Sequence, residues 1–427
     1  MLAAVCGIGL CAGASFAWIY GSELAYGSPI RADGTGYYLY LPAVLLDRDV
    51  TMERTARRSF LGDESDMTGV RRVPPRNRYL DKYPVGEAIM LAPFFVVGDI
   101  SARLSGATAD GFSTPYQVAA AGGGLFFALV GLVQLGLLLL RWFSRSTVLV
   151  TLGAVTFGTA LFHYATYDAV FSHAFSFFLV VTILRLALAV HEQPRLPRAV
   201  ALGLALGMLV IVRPTNGVIA LFVALVGVSS LEDLAHRPRA LLRHRGLVAA
   251  GAGAFVLPLL PQVAYWHAVT GKLLVYAYGD EHLDLLDPHL PQVLFGVRKG
   301  LFFWAPLLLL AVAGLFFLRR YARGLVVPAV VYLGASAWVI ASWQTWWYGG
   351  SLGQRAFVEV VPVFALGLAA LIETARGRVA RRILLGAIAV TTLLAVHAML
   401  AYWQREIPVD GTTWDVYLRS FRMELPG

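Results

Sequence analysis

Asp33 stands in the run Arg31-Ala-Asp-Gly-Thr-Gly-Tyr-Tyr38, just after the first apolar stretch. A carboxylate near a membrane surface can act as a general base toward a hydroxyl. Gly34 and Gly36 let the backbone turn or approach a ligand closely, and Tyr37 and Tyr38 suit a water–lipid interface. The same Asp-Gly pair also suits a plain turn. A second run, Leu80-Asp-Lys-Tyr-Pro-Val-Gly86, carries Lys82 with Tyr83 beside it. An ammonium there can hold a lipid phosphate or merely anchor the chain at the interface. A third, Trp343-Gln-Thr-Trp-Trp-Tyr-Gly-Gly-Ser-Leu-Gly-Gln-Arg355, sets an aromatic platform that includes Trp347 and Tyr348 ahead of Arg355. Aromatic faces suit sugar rings, and a guanidinium suits a phosphate. An interfacial aromatic belt has the same composition, and Glu359 four residues on suits a local helical ion pair with Arg355.

Three weaker groups accompany them. In His163-Tyr-Ala-Thr-Tyr-Asp-Ala-Val-Phe-Ser-His173, Asp168 and His173 lie between apolar helices, where a charge suggests substrate contact. A helix N-cap role for Asp168 or Ser172 fits equally. Arg298 and Lys299 directly precede an apolar run and can bind an anionic headgroup or a substrate phosphate. The upstream His282, Asp284, Asp287 and His289 match no metal-site spacing, so no metal is expected. Arg213-Pro-Thr-Asn216 reads as a structural turn with its Arg at the outer surface.

These residues must be positioned by membrane helices. Of 427 residues, 58% are hydrophobic and only 14% charged, with a mean hydropathy of +0.67. That excludes disordered and ordinary soluble classes and leaves an all-α polytopic membrane protein. Cys6 and Cys11 share one apolar stretch, so no disulfide framework links the loops. The net charge of +9 rests mostly on Arg, and its distribution suits topology rather than nucleic acid.

Apolar runs predict eleven spans: 1–22, 116–140, 146–162, 174–190, 199–212, 215–230, 246–266, 301–318, 324–342, 356–372 and 383–403. The first lacks the basic start of a signal peptide and is taken as a helix. The stretch 84–98 contains Glu87 and Pro93 and reads as an interfacial or re-entrant helix. Five short connections carry the basic clusters Arg141/Arg145, Arg195/Arg198, Arg237–Arg245, Arg319–Arg323 and Arg376–Arg382. All five fall on one face, expected to be cytoplasmic. The segments 23–115, 163–173, 267–300, 343–355 and 404–427 then share the opposite face, which should carry the function. A crossing by 84–98 would instead put 23–82 on the basic face.

Taken together, these segments resemble the GT-C superfamily of membrane glycosyltransferases. The nearest likeness is to the branch of dolichyl-phosphate-mannose protein mannosyltransferases and bacterial lipid A aminoarabinose transferases. The resemblance rests on Asp33 after the first span, on Lys82-Tyr-Pro84, on Phe171-Ser-His173 after the third span, and on Gly349-Gly-Ser-Leu-Gly-Gln-Arg355 before a late span. Many relatives have two adjacent acidic residues where this chain has Asp33-Gly34, and Val85 replaces the second proline of their Lys-Pro-Pro element.

The resemblance implies a GT-C fold of about 11 transmembrane helices with a long first extracytoplasmic loop, about 23–115, bearing juxtamembrane helices. It implies a catalytic module over 1–372, then a final helix and short extracytoplasmic tail over 373–427. It implies an inverting transfer of a sugar from a polyprenyl-phosphate donor to a hydroxyl of an envelope glycan, lipid or protein. Asp33 matches the base. Lys82 matches the donor-phosphate lysine, with Arg355 as a looser second match; Arg298 and Lys299 are further phosphate-ligand candidates from their place before a span. Tyr37, Tyr83, Asp168, His173, Trp347 and Tyr348 would contact substrate. No cofactor is required, because cations can stabilise the leaving phosphate. The place would be the cytoplasmic (inner) membrane, with the site on its extracytoplasmic side. A transporter or flippase for a lipid-linked glycan, and a catalytically silent membrane subunit, are the competing functions.

Overall fold

The computed structural model describes residues 1–22, 24–59, 69–76 and 78–422. Parts of the first loop (60–68) and of the tail (423–427) therefore lie outside the described residues. Among the described residues, eight helices are long and apolar enough to cross a membrane. They are Leu2–Gly21 (α1), Gly86–Ser105, Thr114–Leu139, His173–Glu192, Arg245–Thr270, Arg323–Ala341, Arg355–Thr374 and Arg378–Trp403. Shorter apolar helices cover Arg145–Phe157, Leu196–Val212, Pro214–Leu225 and Leu307–Leu318. Large apolar side chains on their outer faces, such as Leu10, Phe126, Phe316 and Leu393, are exposed, as a lipid-facing surface requires.

The loop after α1 holds three small elements: Asp33–Leu41 (α2), Glu53–Ser59 (α3) and an antiparallel hairpin of Val70–Val73 (β1) with Arg78–Asp81 (β2). Gly86–Ser105 (α4) follows, and its contacts decide the topology. Its first residues meet the end of Leu196–Val212, with Gly86 against Ile211 and Val212. Gly98 packs on Tyr116, and Gly123 faces Leu91 and Phe94, so α4 runs antiparallel to the start of Thr114–Leu139 (α5). The start of α5 lies beside the exit of α1, where the Ile30 N–H donates to Gln117 Oε1 at 2.8 Å. Both ends of α4 are therefore at the same end of the bundle. It is a juxtamembrane helix despite its length, and the ambiguity over 84–98 resolves that way.

The remaining helices alternate between two ends. They are Arg145–Phe157 (α6), Leu161–Thr166 (α7), His173–Glu192 (α8), Leu196–Val212 (α9) and Ile219–Leu225 (α10). Next come Leu231–Arg243 (α11), Arg245–Val256 (α12), Leu260–Thr270 (α13), Leu290–Phe295 (α14), Leu301–Trp304 (α15), Leu307–Leu318 (α16) and Val326–Ala341 (α17). Val361–Thr374 (α18), Arg378–Trp403 (α19) and the tail helix Trp414–Arg419 (α20) complete the chain. Counting α12–α13 as one crossing and 3₁₀ turns with the helices they lead into, eleven segments among the described residues connect the ends. The five basic clusters share one end, where Arg141 pairs with Glu192, the Ser144 hydroxyl meets Glu373, and the Gly227 N–H donates to the Gly324 carbonyl.

One boundary differs from expectation for a clear local reason. The span predicted over 146–162 breaks after Phe157, and Thr159 Oγ1 accepts from the Leu161 N–H to start α7. The 163–173 segment is thus partly helical. Helix packing relies on small residues, as in other membrane bundles. Gly314 of α16 and Gly367 of α18 touch so closely that a Cβ on Gly314 would collide with the Gly367 carbonyl.

Candidate functional site

The elaborated end of the bundle encloses a cavity of about 860 Å³. Its wall includes Arg31, Asp33, Tyr37, Lys82, Tyr83, Asp168, Arg213, Tyr278, Glu281, Trp347, Tyr348 and Arg355. Four cations reach it, each opposed by one carboxylate.

Asp33 opens α2. Gly34 follows because a Cβ there would press on the Val170 carbonyl at 2.7 Å, so α2 can lie against the 168–171 turn. Ala32 just before it has φ 44° and ψ −127°, a strained conformation that sends Arg31 and Asp33 in different directions. Asp33 is held at both oxygens. Tyr83 donates its hydroxyl to Oδ1 at 2.7 Å, and Arg355 Nη2 lies 2.8 Å from Oδ2. Burial alone would raise the Asp33 pKa. Arg355, the Tyr83 hydroxyl and Lys82 outweigh it, so the carboxyl stays below its usual range. Tyr83 is pushed well above the ordinary phenol value by burial and by Asp33, so it remains a donor.

Lys82 follows β2, two residues before the Pro that leads into α4. Its Nζ lies 2.9 Å from Glu281 Oε1 and over the rings of Tyr83 and Tyr278. Glu281 belongs to the 271–289 loop, which is stitched to the end of α17 by backbone bonds from Asp284 to Ser342 and from Gln344 to His282.

Asp168 is a cavity-wall residue rather than an N-cap. It meets Arg31 Nη2 at 2.6 Å and His163 Nε2 at 2.9 Å. Trp403 Nε1–H donates to His163 Nδ1 at 2.9 Å, so the imidazole proton sits on Nε2 and points to Asp168. Burial would raise the Asp168 pKa, but Arg31 and His163 bring it down to about 2. Arg31 spends its other donors on Tyr20, Ser28 and Tyr167, so this pair braces the wall.

Several expectations need correction. His173 does not line the cavity. It is buried beneath it, with Nδ1 2.9 Å from Glu359 Oε1. Glu359 does not pair with Arg355 four residues back; the 3₁₀ turn Arg355–Val360 aims it at His173 and Arg213 instead. Arg213 does not point to the outer surface. It turns inward, 3.4 Å from Glu359 and over the Tyr348 ring, and lines the cavity. Arg298 and Lys299 are also outside the cavity wall. Arg298 makes a two-pronged pair with Asp410 (2.9 and 2.7 Å), and Lys299 is buried on the carbonyls of Ser351 and Val409. Asp33, Tyr37, Lys82, Tyr83, Asp168, Trp347, Tyr348 and Arg355 are brought together as a group. Arg213, Tyr278 and Glu281 were missed. Only Arg213 left a signal, an Arg wedged between two apolar runs.

Among the described residues, no three His, Cys, Asp or Glu side chains are grouped to hold a metal. His282 and Asp284 instead serve their own loop, bonding to the Asp280 carbonyl and the Leu286 N–H.

No protein-family model matches the chain, and no curated protein does. Among solved structures, the chain is similar to the oligosaccharyltransferase of Archaeoglobus fulgidus in its apo form. The TM-score is 0.54 at 11% identity, over 96% of this chain and 56% of that one. A crystal structure of the same archaeal protein tethered to an acceptor peptide matches with a TM-score of 0.49 at 10% identity, over 97% and 56%. The chain thus spans about half the length of that protein. With eleven alternating segments, a long first loop and a juxtamembrane helix, this chain is a multi-pass membrane protein with the GT-C fold.

Proposed function

We propose that this chain is an inverting glycosyltransferase. It moves a sugar from a polyprenyl-phosphate donor to a hydroxyl of an envelope glycan, lipid or protein, on the extracytoplasmic side of the inner membrane. The observation that carries this reading is the clamp on Asp33 by Tyr83 and Arg355, at the wall of a large cavity that also holds Lys82.

Asp33 takes the proton of the acceptor hydroxyl. The oxygen attacks the anomeric carbon from the face opposite the phosphate, and the new C–O bond inverts that carbon. The old C–O bond breaks, its electron pair staying on the phosphate oxygen. Lys82 and Arg355 stabilise that charge as it grows. Arg355 has a double role: it orients Asp33 and weakens it as a base. A phosphate that shares the charge of Arg355 and Lys82 lifts part of that weakening, so the base strengthens when the donor is in place. On this reading the cations do the work that a metal would do elsewhere, and no cofactor is needed.

The test compares envelope glycans and lipids by mass spectrometry from cells with wild-type protein, with Asp33→Asn, and with none. A modification present only with wild type supports transfer. Identical profiles in all three sink it. If the chain is instead a flippase, lipid-linked sugar transport is lost only in cells without the protein and persists with Asp33→Asn.

A further inference from the structure

Lys299 and Arg298 are unexplained by substrate binding. Lys299 is 1% exposed, yet it forms no ion pair among the described residues. Its Nζ donates to the Ser351 carbonyl and, at 2.6 Å, to the Val409 carbonyl. The same Val409 carbonyl accepts from the Ser351 N–H at 3.0 Å. Three chain segments thus meet on one ammonium: the 296–300 turn, the 349–353 loop and the tail after α19. Beside it, Asp410 takes both prongs of Arg298, whose guanidinium lies over the Trp347 ring at 4.1 Å. Further along the loop, Gln354 Nε2 donates to the Trp346 carbonyl. The next residue is Arg355, which reaches Asp33.

We propose that Arg298, Lys299 and tail residue Asp410 form a brace that fixes the 346–354 loop and thereby positions Arg355 against Asp33. The consequence for donor binding rests on the function proposed above; the brace itself does not. Burying an ammonium is costly, and burial pushes Lys299 down to about 7 despite the nearby Asp410. An apolar side chain would fill the space more cheaply, but it could not tie two carbonyls from different segments into one register. Arg405, earlier in the same tail, donates to the Ala25 carbonyl at 3.2 Å and lies over the Tyr26 ring. The tail therefore runs from the exit of α1 to the loop that carries Arg355. These are positioning residues: none of the three lines the cavity.

The test uses full-length protein in detergent, as wild type, Asp410→Asn, Lys299→Met and Asp410→Glu. Hydrogen exchange is followed by mass spectrometry, and binding is measured with undecaprenyl phosphate. The brace predicts faster exchange over 346–355 in Asp410→Asn and Lys299→Met, unchanged exchange in α8, and recovery in Asp410→Glu. It also predicts about tenfold weaker phosphate binding, since a lost charge-assisted hydrogen bond is worth roughly that much. In an Arg355→Gln background, Asp410→Asn should add no further loss. Unchanged exchange over 346–355, or a binding loss that adds fully to that of Arg355→Gln, overturns the proposal. Faster exchange in protein whose wild type binds no undecaprenyl phosphate supports the brace and instead sinks the function proposed above.

Discussion

Arg355 and Asp33 come from opposite ends of the sequence and meet at 2.8 Å, with Tyr83 completing the clamp on the carboxylate. A carboxylate held this way has its lone pairs aimed before any substrate arrives, which is what a base needs to act without searching.

Asp33→Asn should abolish sugar transfer, by about 10² to 10⁴-fold, and should also lower the unfolding midpoint, since Arg355 loses its charge partner. The amide keeps the shape and can still accept from Tyr83 but takes no proton. Turnover assays with thermal unfolding as a control check this, and wild-type turnover would remove Asp33 from the chemistry.

The pH profile separates the two roles of Arg355. Asp33 is ionised from below its ordinary pKa upward, so wild-type activity should persist to mildly acid pH and fall only as the carboxylate takes up a proton. In Arg355→Gln or Arg355→Lys/Tyr83→Phe the burial penalty is less opposed, so the Asp33 pKa rises and the acid limb moves to higher pH. A limb that stays in place contradicts the coupling.

Lys82→Ala should weaken binding of a polyprenyl phosphate about tenfold or more, because one charge-assisted contact is lost. Glu281→Gln should act in the opposite direction. Glu281 now occupies Lys82, and a phosphate must displace it. Equal affinity in wild type and Glu281→Gln would show that the lysine is not where the anion sits.

Asp168→Asn is expected to damage stability more than substrate affinity. It leaves Arg31 without its charge partner in a mostly buried setting, a loss of about 3–5 kcal/mol. Because Asp168 titrates near 2 in the fold, below its unfolded value, this stabilisation is present above pH ~4 and disappears as pH falls toward 2. Thermal unfolding at neutral pH decides it: an unchanged midpoint would return Asp168 to the substrate contacts.

Gly314→Leu should destabilise the bundle by about 1–3 kcal/mol, since α16 and α18 must separate to admit the side chain. Detergent-extracted yield and unfolding midpoint report it.

The span count and the shared basic end were legible in the sequence because each depends on local composition; Asp33, Lys82 and Arg355 stood out as candidates by their distance from an apolar run, and the fold lines one cavity with all three. What was not legible depends on where a side chain turns. Arg213 beside Pro214 looks alike whether it faces water or a cavity; only Glu359, far along the chain, draws it inward. Glu359 suggested a helical pair with Arg355, but a 3₁₀ turn rotates the two apart. Arg298 and Lys299 before a span look alike as phosphate ligands or as structural clamps, because Asp410 and the carbonyls that Lys299 meets lie far along the chain. The length of α4 would suggest a crossing, and only the contact of Gly86 with the end of α9, at the same end of the bundle as the start of α5, shows otherwise.

The short helices have a mechanical consequence. α6 has 13 residues and α16 has 12, about 20 and 18 Å of rise, against roughly 30 Å of hydrocarbon. The bilayer must therefore thin around these two helices, or the turns that flank them must dip into the hydrocarbon. Bilayers with longer acyl chains widen that gap, so the protein should unfold at a lower temperature in them than in thinner ones.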